Sequence, residues 1–326
     1  MRPLGPSGAR AAPRIALAAV LALVLSSGAA SAMCTGTAGV NILASDGETC
    51  NAIGPYSSTA VPAGQATGTG SVLTWPGGGS VSFSTSAANT PAVQADTGGS
   101  VILNVTAPYA GTVTTTGAGS NGLYATGAAS SISVTNFAIS TQNLGDYSTP
   151  IYATQGGQIT VNGGSATSVG ASSPGAAVVG GGTINLNGTT ILASGDGSAG
   201  IVINGAGGVI NATGVNITTH GNVDTSLGNY ADGAYNGSYG ATYPSGGTMT
   251  ITNSTITTTG TDANGVVTNS GGVTNINGGS ITTTGNGALG LEASGAGSSI
   301  STSNGKSRLF AGMKPHFPKL NGIRYS

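Results

Sequence analysis

Ser254–Gly260 reads STITTTG and Gly279–Gly285 reads GSITTTG, so the phrase ITTTG returns 25 residues later. A period of about 20 to 50 residues marks an array of stacked units rather than one closed domain. Working outward from this pair, Gly-Gly or Gly-Ala dipeptides mark unit starts at 98, 127, 156, 181, 207, 246, 271 and 295. Their spacings are 29, 29, 25, 26, 39, 25 and 24 residues. Only the fifth unit is long, and it therefore carries an insertion.

Three segments follow each marker. The first holds apolar residues at alternate positions: Val101 and Leu103, Ile159 and Val161, Ile184 and Leu186, Ile210 and Ala212, Met249 and Ile251. Polar residues such as Thr160, Asn185, Asn211 and Thr250 stand between them. The second segment contributes Val113, Ala166, Ile191, Ile217, Ile256 and Ile281. The third opens on pairs such as Gly122-Leu123, Pro150-Ile151, Gly200-Ile201 and Gly265-Val266. Alternation at period two gives strands with one buried face. Three short strands per unit, with like residues at like places, predict an all-β fold: a right-handed parallel β-helix. Its strands stack about 4.8 Å apart. A single unit cannot bury its own faces, which is why the unit must repeat.

Residues 33–97 are less regular and are expected to form an N-terminal cap and a first turn, protecting the strand edges of the solenoid. The repeats proper run over 98–305. Cys34 and Cys50 are the only cysteines, and a disulfide between them is expected near the start.

Charge is confined to particular regions. Arg2, Arg10 and Arg14 precede the apolar run Ile15–Leu25 and the small-residue site Ala30-Ser31-Ala32, so residues 1–32 read as a cleavable secretory signal. The remaining basic residues are Lys306, Arg308, Lys314, Lys319 and Arg324, and residues 33–305 contain no Lys or Arg. All nine acidic residues lie in that body, which argues against nucleic acid and anionic lipid as partners. The abrupt basic composition of 306–326, with Pro315 and Pro318, is that of a non-repeat tail such as a shifted reading frame produces.

The signal segment, the turn Gly181-Gly182-Thr183-Ile184-Asn185-Leu186-Asn187-Gly188 and the Thr/Asn/Gly-rich units resemble the passenger region of bacterial autotransporters, the pertactin-like β-helix proteins. The resemblance spans roughly residues 1–305. It implies export through the inner membrane, then passage across the outer membrane through a C-terminal β-barrel, with adhesion or antigenic display at the cell surface. No barrel-like series of alternating strands precedes Ser326, so the expectation is a truncated passenger, periplasmic unless joined to a translocator.

The search for chemistry gives few residues. Asp146 and Asp196 share one place beside a marker glycine, but Asp next to Gly is ordinary turn chemistry. His220, with Asp196 and Asp224 near it, lacks a nucleophile or metal-ligand spacing and reads as a surface residue. Thr257 and Thr259 above Thr282 and Thr284 form a ladder only two units tall, too short for an ice-binding face. The insertion is more distinctive. It holds Tyr230, Tyr235, Tyr239 and Tyr243 among Gly, Ser and Asn, a composition suited to adaptable contacts on a projecting loop.

The expectation is therefore a monomeric, non-catalytic passenger with an adhesin-like or antigenic role, needing no cofactor or metal. Its partner would be a host surface or matrix component, met through the four tyrosines. The competing readings are a secreted β-helical carbohydrate-active enzyme and a purely structural surface rod.

Overall fold

The computed structural model describes residues 34, 35, 37, 39–145, 147–226, 228–238, 245–303 and the backbone of 323–325. The signal-peptide expectation, Asp146, Tyr239, Tyr243 and nearly all of the 306–326 tail fall outside the described residues.

Each unit lays down three strands, one in each of three parallel sheets, and the described residues form a β-solenoid of about nine turns with no helix. Sheet one has ten strands, from Ile42–Ala44 to Leu291–Ala293. Sheet two has eleven, from Thr49–Asn51 to Ser299–Ser303 and then Ile323–Tyr325, the one described strand of the tail. Sheet three has nine, from Tyr56–Ser58 to Ser280–Thr283. Every strand pairs with its equivalent one unit away, so the two ITTTG phrases lie side by side, Ile256 against Ile281.

The register turns the sequence columns into physical ones. In sheet two Val101, Ile132, Ile159, Ile184, Ile210 and Met249 align in successive strands and are all buried. In sheet three Phe83, Val113, Ile139, Ala166, Ile191, Ile217 and Ile256 do the same. One contiguous apolar core runs through the turns. The middle threonine of the ITTT phrase points inward as well. Thr258 is fully buried, and its hydroxyl donates to the Ala263 carbonyl at 2.7 Å. Thr115, Thr141 and Thr219 satisfy the carbonyls of Ser120, Ser148 and Ala231 in the same way. The hydroxyl therefore supplies the turn carbonyl with the partner that burial denies it.

The markers at 98, 127, 156, 181, 207, 271 and 295 carry sheet one into sheet two with φ between 73° and 90°. A side chain is strained there, which explains why the dipeptide begins with Gly.

The repeat starts earlier than the sequence suggests. Residues 33–97 already supply strands to all three sheets, from Ile42–Ala44 through Val93–Asp96, so the solenoid begins at the cysteine pair. Aromatic stacking disguises these first turns: Tyr56 and Phe83 occupy the inward column of sheet three, 5.5 Å apart and nearly parallel. Cys34 and Cys50 are joined by a disulfide, and Cys50 is buried beside Leu73 in sheet two.

Candidate functional site

The outward face of sheet one departs from the polar pattern of the rest. Its strands are three or four residues long, and their central outward positions align as Tyr124, Tyr152, Ala177, Val202, Tyr235, Val267 and Glu292. Ala177, Val202, Tyr235 and Val267 form a second apolar cluster with Ala199, against which Tyr152 packs. Small or flat side chains here leave a depression, and the turns that lead from sheet three into sheet one, carrying Tyr147, Pro174 and Gly228–Tyr230, wall one side of it. The result is a groove of about 890 Å³. At one end it meets a smaller depression of about 310 Å³ that shares Asn121 and Tyr152. There Tyr124 and Tyr152 stand with ring centroids 5.6 Å apart.

The long fifth unit builds the other end. Its extra length falls on both sides of the sheet-one strand Ala234–Gly237, as a first excursion before it and as added sequence between Gly237 and the strand Thr248–Thr252. The first excursion is a closed bend. The Asp224 N–H donates to the Asn229 carbonyl and the Gly228 N–H to the Asp224 carbonyl, each at 2.8 Å. Asn229 Nδ2 donates to Ser172 Oγ at 2.9 Å, anchoring the bend across the intervening turn to the one beyond it. Gly228, Asn229 and Tyr230 thus form the rim, with Tyr230 41% exposed.

Tyr235 is not on a projecting loop. It is a rung of sheet one between Val202 and Val267, and is buried. Its hydroxyl donates to the Ser238 carbonyl at 2.8 Å and accepts from Asn269 Nδ2 at 2.9 Å. Burial raises its pKa, and the Asn269 bond opposes that rise.

Two carboxylates line the same end of the groove, and neither stands out in the sequence. Asp232, 1% exposed, accepts at Oδ1 from the Asn264 backbone N–H at 2.8 Å. Glu292 Oε2 accepts from Asn264 Nδ2 at 3.2 Å. Asn264 Oδ1 accepts from the Leu289 N–H at 2.7 Å, which fixes the amide so that its NH2 faces Glu292. One asparagine therefore positions both acids. Burial pushes Asp232 up to about 8, against the pull of the Asn264 bond and with help from the Glu292 charge. Burial raises Glu292 too.

Asp96 shows the opposite outcome on the same sheet. Burial raises it, but hydrogen bonds from Thr67, Thr97, Gln65 and Gln94 outweigh that and hold it below the usual carboxylate value. Asp96 is saturated with donors and structural. Asp232 has one donor, and among the described residues no partner takes its Oδ2.

The residues weighed for chemistry in the sequence do not converge. Asp196 Oδ1 accepts from the Asn222 N–H at 2.8 Å, whereas His220 Nδ1 lies 3.1 Å from the Thr259 hydroxyl. Asp224 accepts from Ser226 and Ser172 and serves the bend. Cys34, Glu48 and Cys50 are close enough to hold a metal ion, but the two sulfurs are bonded to each other.

The sequence does hold a signal for this site. Asp232-Gly233-Ala234 and Asn264-Gly265-Val266 repeat the residue-Gly-apolar opening of Ala199-Gly200-Ile201, and Glu292 follows Gly290-Leu291. Aligning these openings places Asp232 and Asn264 in one column. No protein-family model, curated protein or solved structure matches the chain.

Proposed function

We propose that this chain is the β-solenoid of an exported, passenger-like surface protein and that it binds an uncharged glycan along the outer face of sheet one, in an adhesin-like role. The groove carries this reading. Its apolar floor is edged by the rings of Tyr124, Tyr152 and Tyr230 and by the amides of Asn121, Asn204 and Asn269. Sugars present apolar ring faces and a rim of hydroxyls. Flat aromatic surfaces serve the first, and side chains that both donate and accept serve the second. The body from 33 to 305 has no Lys or Arg to bind a polyanionic glycan. Seven aligned strands at about 4.8 Å spacing give a track of about 29 Å, long enough for several sugar residues.

Binding to soluble neutral polysaccharides and to uronic-acid polymers tests it. The neutral class should bind, and Tyr152→Ala or Tyr230→Ala should weaken that binding by about tenfold or more, as loss of an aromatic contact of about 1.5 kcal/mol does. Binding confined to the anionic polymers, or unaffected by both substitutions, would contradict the reading. The passenger role is tested separately, by fusing the chain to a translocator barrel and labelling intact cells.

A further inference from the structure

We propose that the Asp232–Asn264–Glu292 constellation hydrolyses glycosidic bonds of the glycan held in this groove, with Asp232 as general acid and Glu292 as general base. The inference rests on the glycan reading of the groove and adds a reaction to it.

The geometry is that of two carboxyl groups with different surroundings on one side of a substrate track. Asp232 lines the groove and is almost wholly enclosed, with Oδ1 engaged by the Asn264 N–H. Glu292 lies two strands further along the sheet and is more open, held by the Asn264 side chain. Asn264 does not touch the reacting atoms in this scheme and is a positioning residue. Environments that separate the proton affinities of two carboxyl groups assign them opposite roles. The enclosed Asp232 keeps its proton at neutral pH, and the charge of the less enclosed Glu292 helps to hold it there.

The step then balances. The Asp232 proton passes to the glycosidic oxygen as the bond from that oxygen to the anomeric carbon breaks. A water molecule attacks the anomeric carbon, and its proton passes to Glu292. One water is consumed, and a new hemiacetal and a new alcohol are released. Proton exchange with solvent returns Asp232 to the acid form and Glu292 to the carboxylate. Asn264 stands between the two acids, its backbone N–H on Asp232 and its Nδ2 on Glu292, so acid and base are not in direct contact and a water is proposed to enter between them. An inverting enzyme needs this arrangement, with carboxyl groups about 6.5–9.5 Å apart.

The test incubates the purified full chain with soluble glucan, mannan, xylan and galactan. It measures binding by affinity electrophoresis and hydrolysis by release of reducing ends. The native chain should release reducing ends from a polysaccharide it binds. Asp232→Asn and Glu292→Gln should each lower that rate by about 10²–10⁴-fold, with binding retained within a few-fold and circular dichroism unchanged. The rate should follow a bell-shaped pH profile, with the alkaline limb set by Asp232 near 8. Asn264→Ala should shift that profile, whereas a residue that only stabilised the fold would lower activity without moving it. Binding without hydrolysis by the native chain overturns the catalytic proposal and leaves the glycan reading standing. Absence of binding to every polysaccharide defeats both. Full activity in Asp232→Asn overturns the acid assignment.

Discussion

Gly111 lies directly against Phe137 in sheet three, and a Cβ on Gly111 would stand 2.3 Å from the Phe137 ring. The two are register partners in adjacent turns, so the large ring is accommodated by its neighbour having no side chain at all. Gly111→Ala should therefore destabilise the solenoid by about 1–3 kcal/mol, the usual cost of overpacking. Urea unfolding monitored by circular dichroism reads this directly. Adding Phe137→Leu to Gly111→Ala should recover part of the loss. A strictly additive double variant would show that the pair does not share that space.

The inward columns predict a steeper effect. Ile184 is fully buried in sheet two between Ile159 and Ile210. Ile184→Ala should cost about 2–5 kcal/mol. Ile184→Asp should prevent folding at neutral pH, because an unpaired buried carboxylate costs far more. A cooperative melt of Ile184→Asp near the native temperature would contradict the column assignment.

Asn236 breaks the apolar rule within that core, and this makes the fifth unit hard to read. It takes the inward place between Ile203 and Thr268 and is fully buried. Its Nδ2 donates to the carbonyls of Gly247 and Val273 and to Thr274 Oγ1, and its Oδ1 accepts from the Gly247 N–H. Asn236 thereby ties Gly247, at the entry to the strand Thr248–Thr252, back to the core. Asn236→Ala leaves these groups unpaired and should cost about 1–3 kcal/mol or more. Hydrogen exchange should show the loss first at Gly247. Unaltered stability would mean that water replaces the amide without cost.

The same residue marks the limit of what the sequence discloses. Columns such as Ile159, Ile184 and Ile210 are legible because every turn writes an aliphatic residue in the same place. Ala234-Tyr235-Asn236-Gly237 has only alanine as an apolar inward residue and ends in turn-forming types, so a genuine rung reads as loop. The insertion consequently reads as one projecting loop, and deletion of Gly228–Ser245 tests that reading. In the structure that deletion takes out the strand joining Ile201–Asn204 to Val266–Thr268. It should abolish the cooperative transition or leave two separately melting parts. The candidate site is less legible still. Asp232, Asn264 and Glu292 lie 60 residues apart in sequence from first to last and meet only through stacking of the turns. Composition points to Tyr230 and Tyr235 alike, but one forms the rim and the other the floor.

Asp232 gives a prediction whose sign follows from linkage. Folding moves its pKa from 3.8 to about 8, chiefly because burial penalises the charged form. Between those values the folded chain holds a proton that the unfolded chain has released. The contribution of this group is therefore fully present below 3.8 and is lost as pH rises through about 8. Asp232→Asn removes the titration while keeping the shape. The variant should melt close to the native protein at pH 3.5, then become progressively more stable than it as pH rises, with the gap levelling above pH 8.5. Every tenfold difference in proton affinity between the folded and unfolded chain corresponds to about 1.4 kcal/mol at most. Relaxation and water entry reduce this, so the final gap should be a few kcal/mol. Glu292→Gln should show the same sign, since burial raises that group too. Melting curves at half-unit pH steps supply the measurement. A gap that stays constant with pH, or that grows toward acid, would mean that Asp232 is ionised in the folded protein at neutral pH. It would then have no proton to donate, and the groove would bind without cleaving.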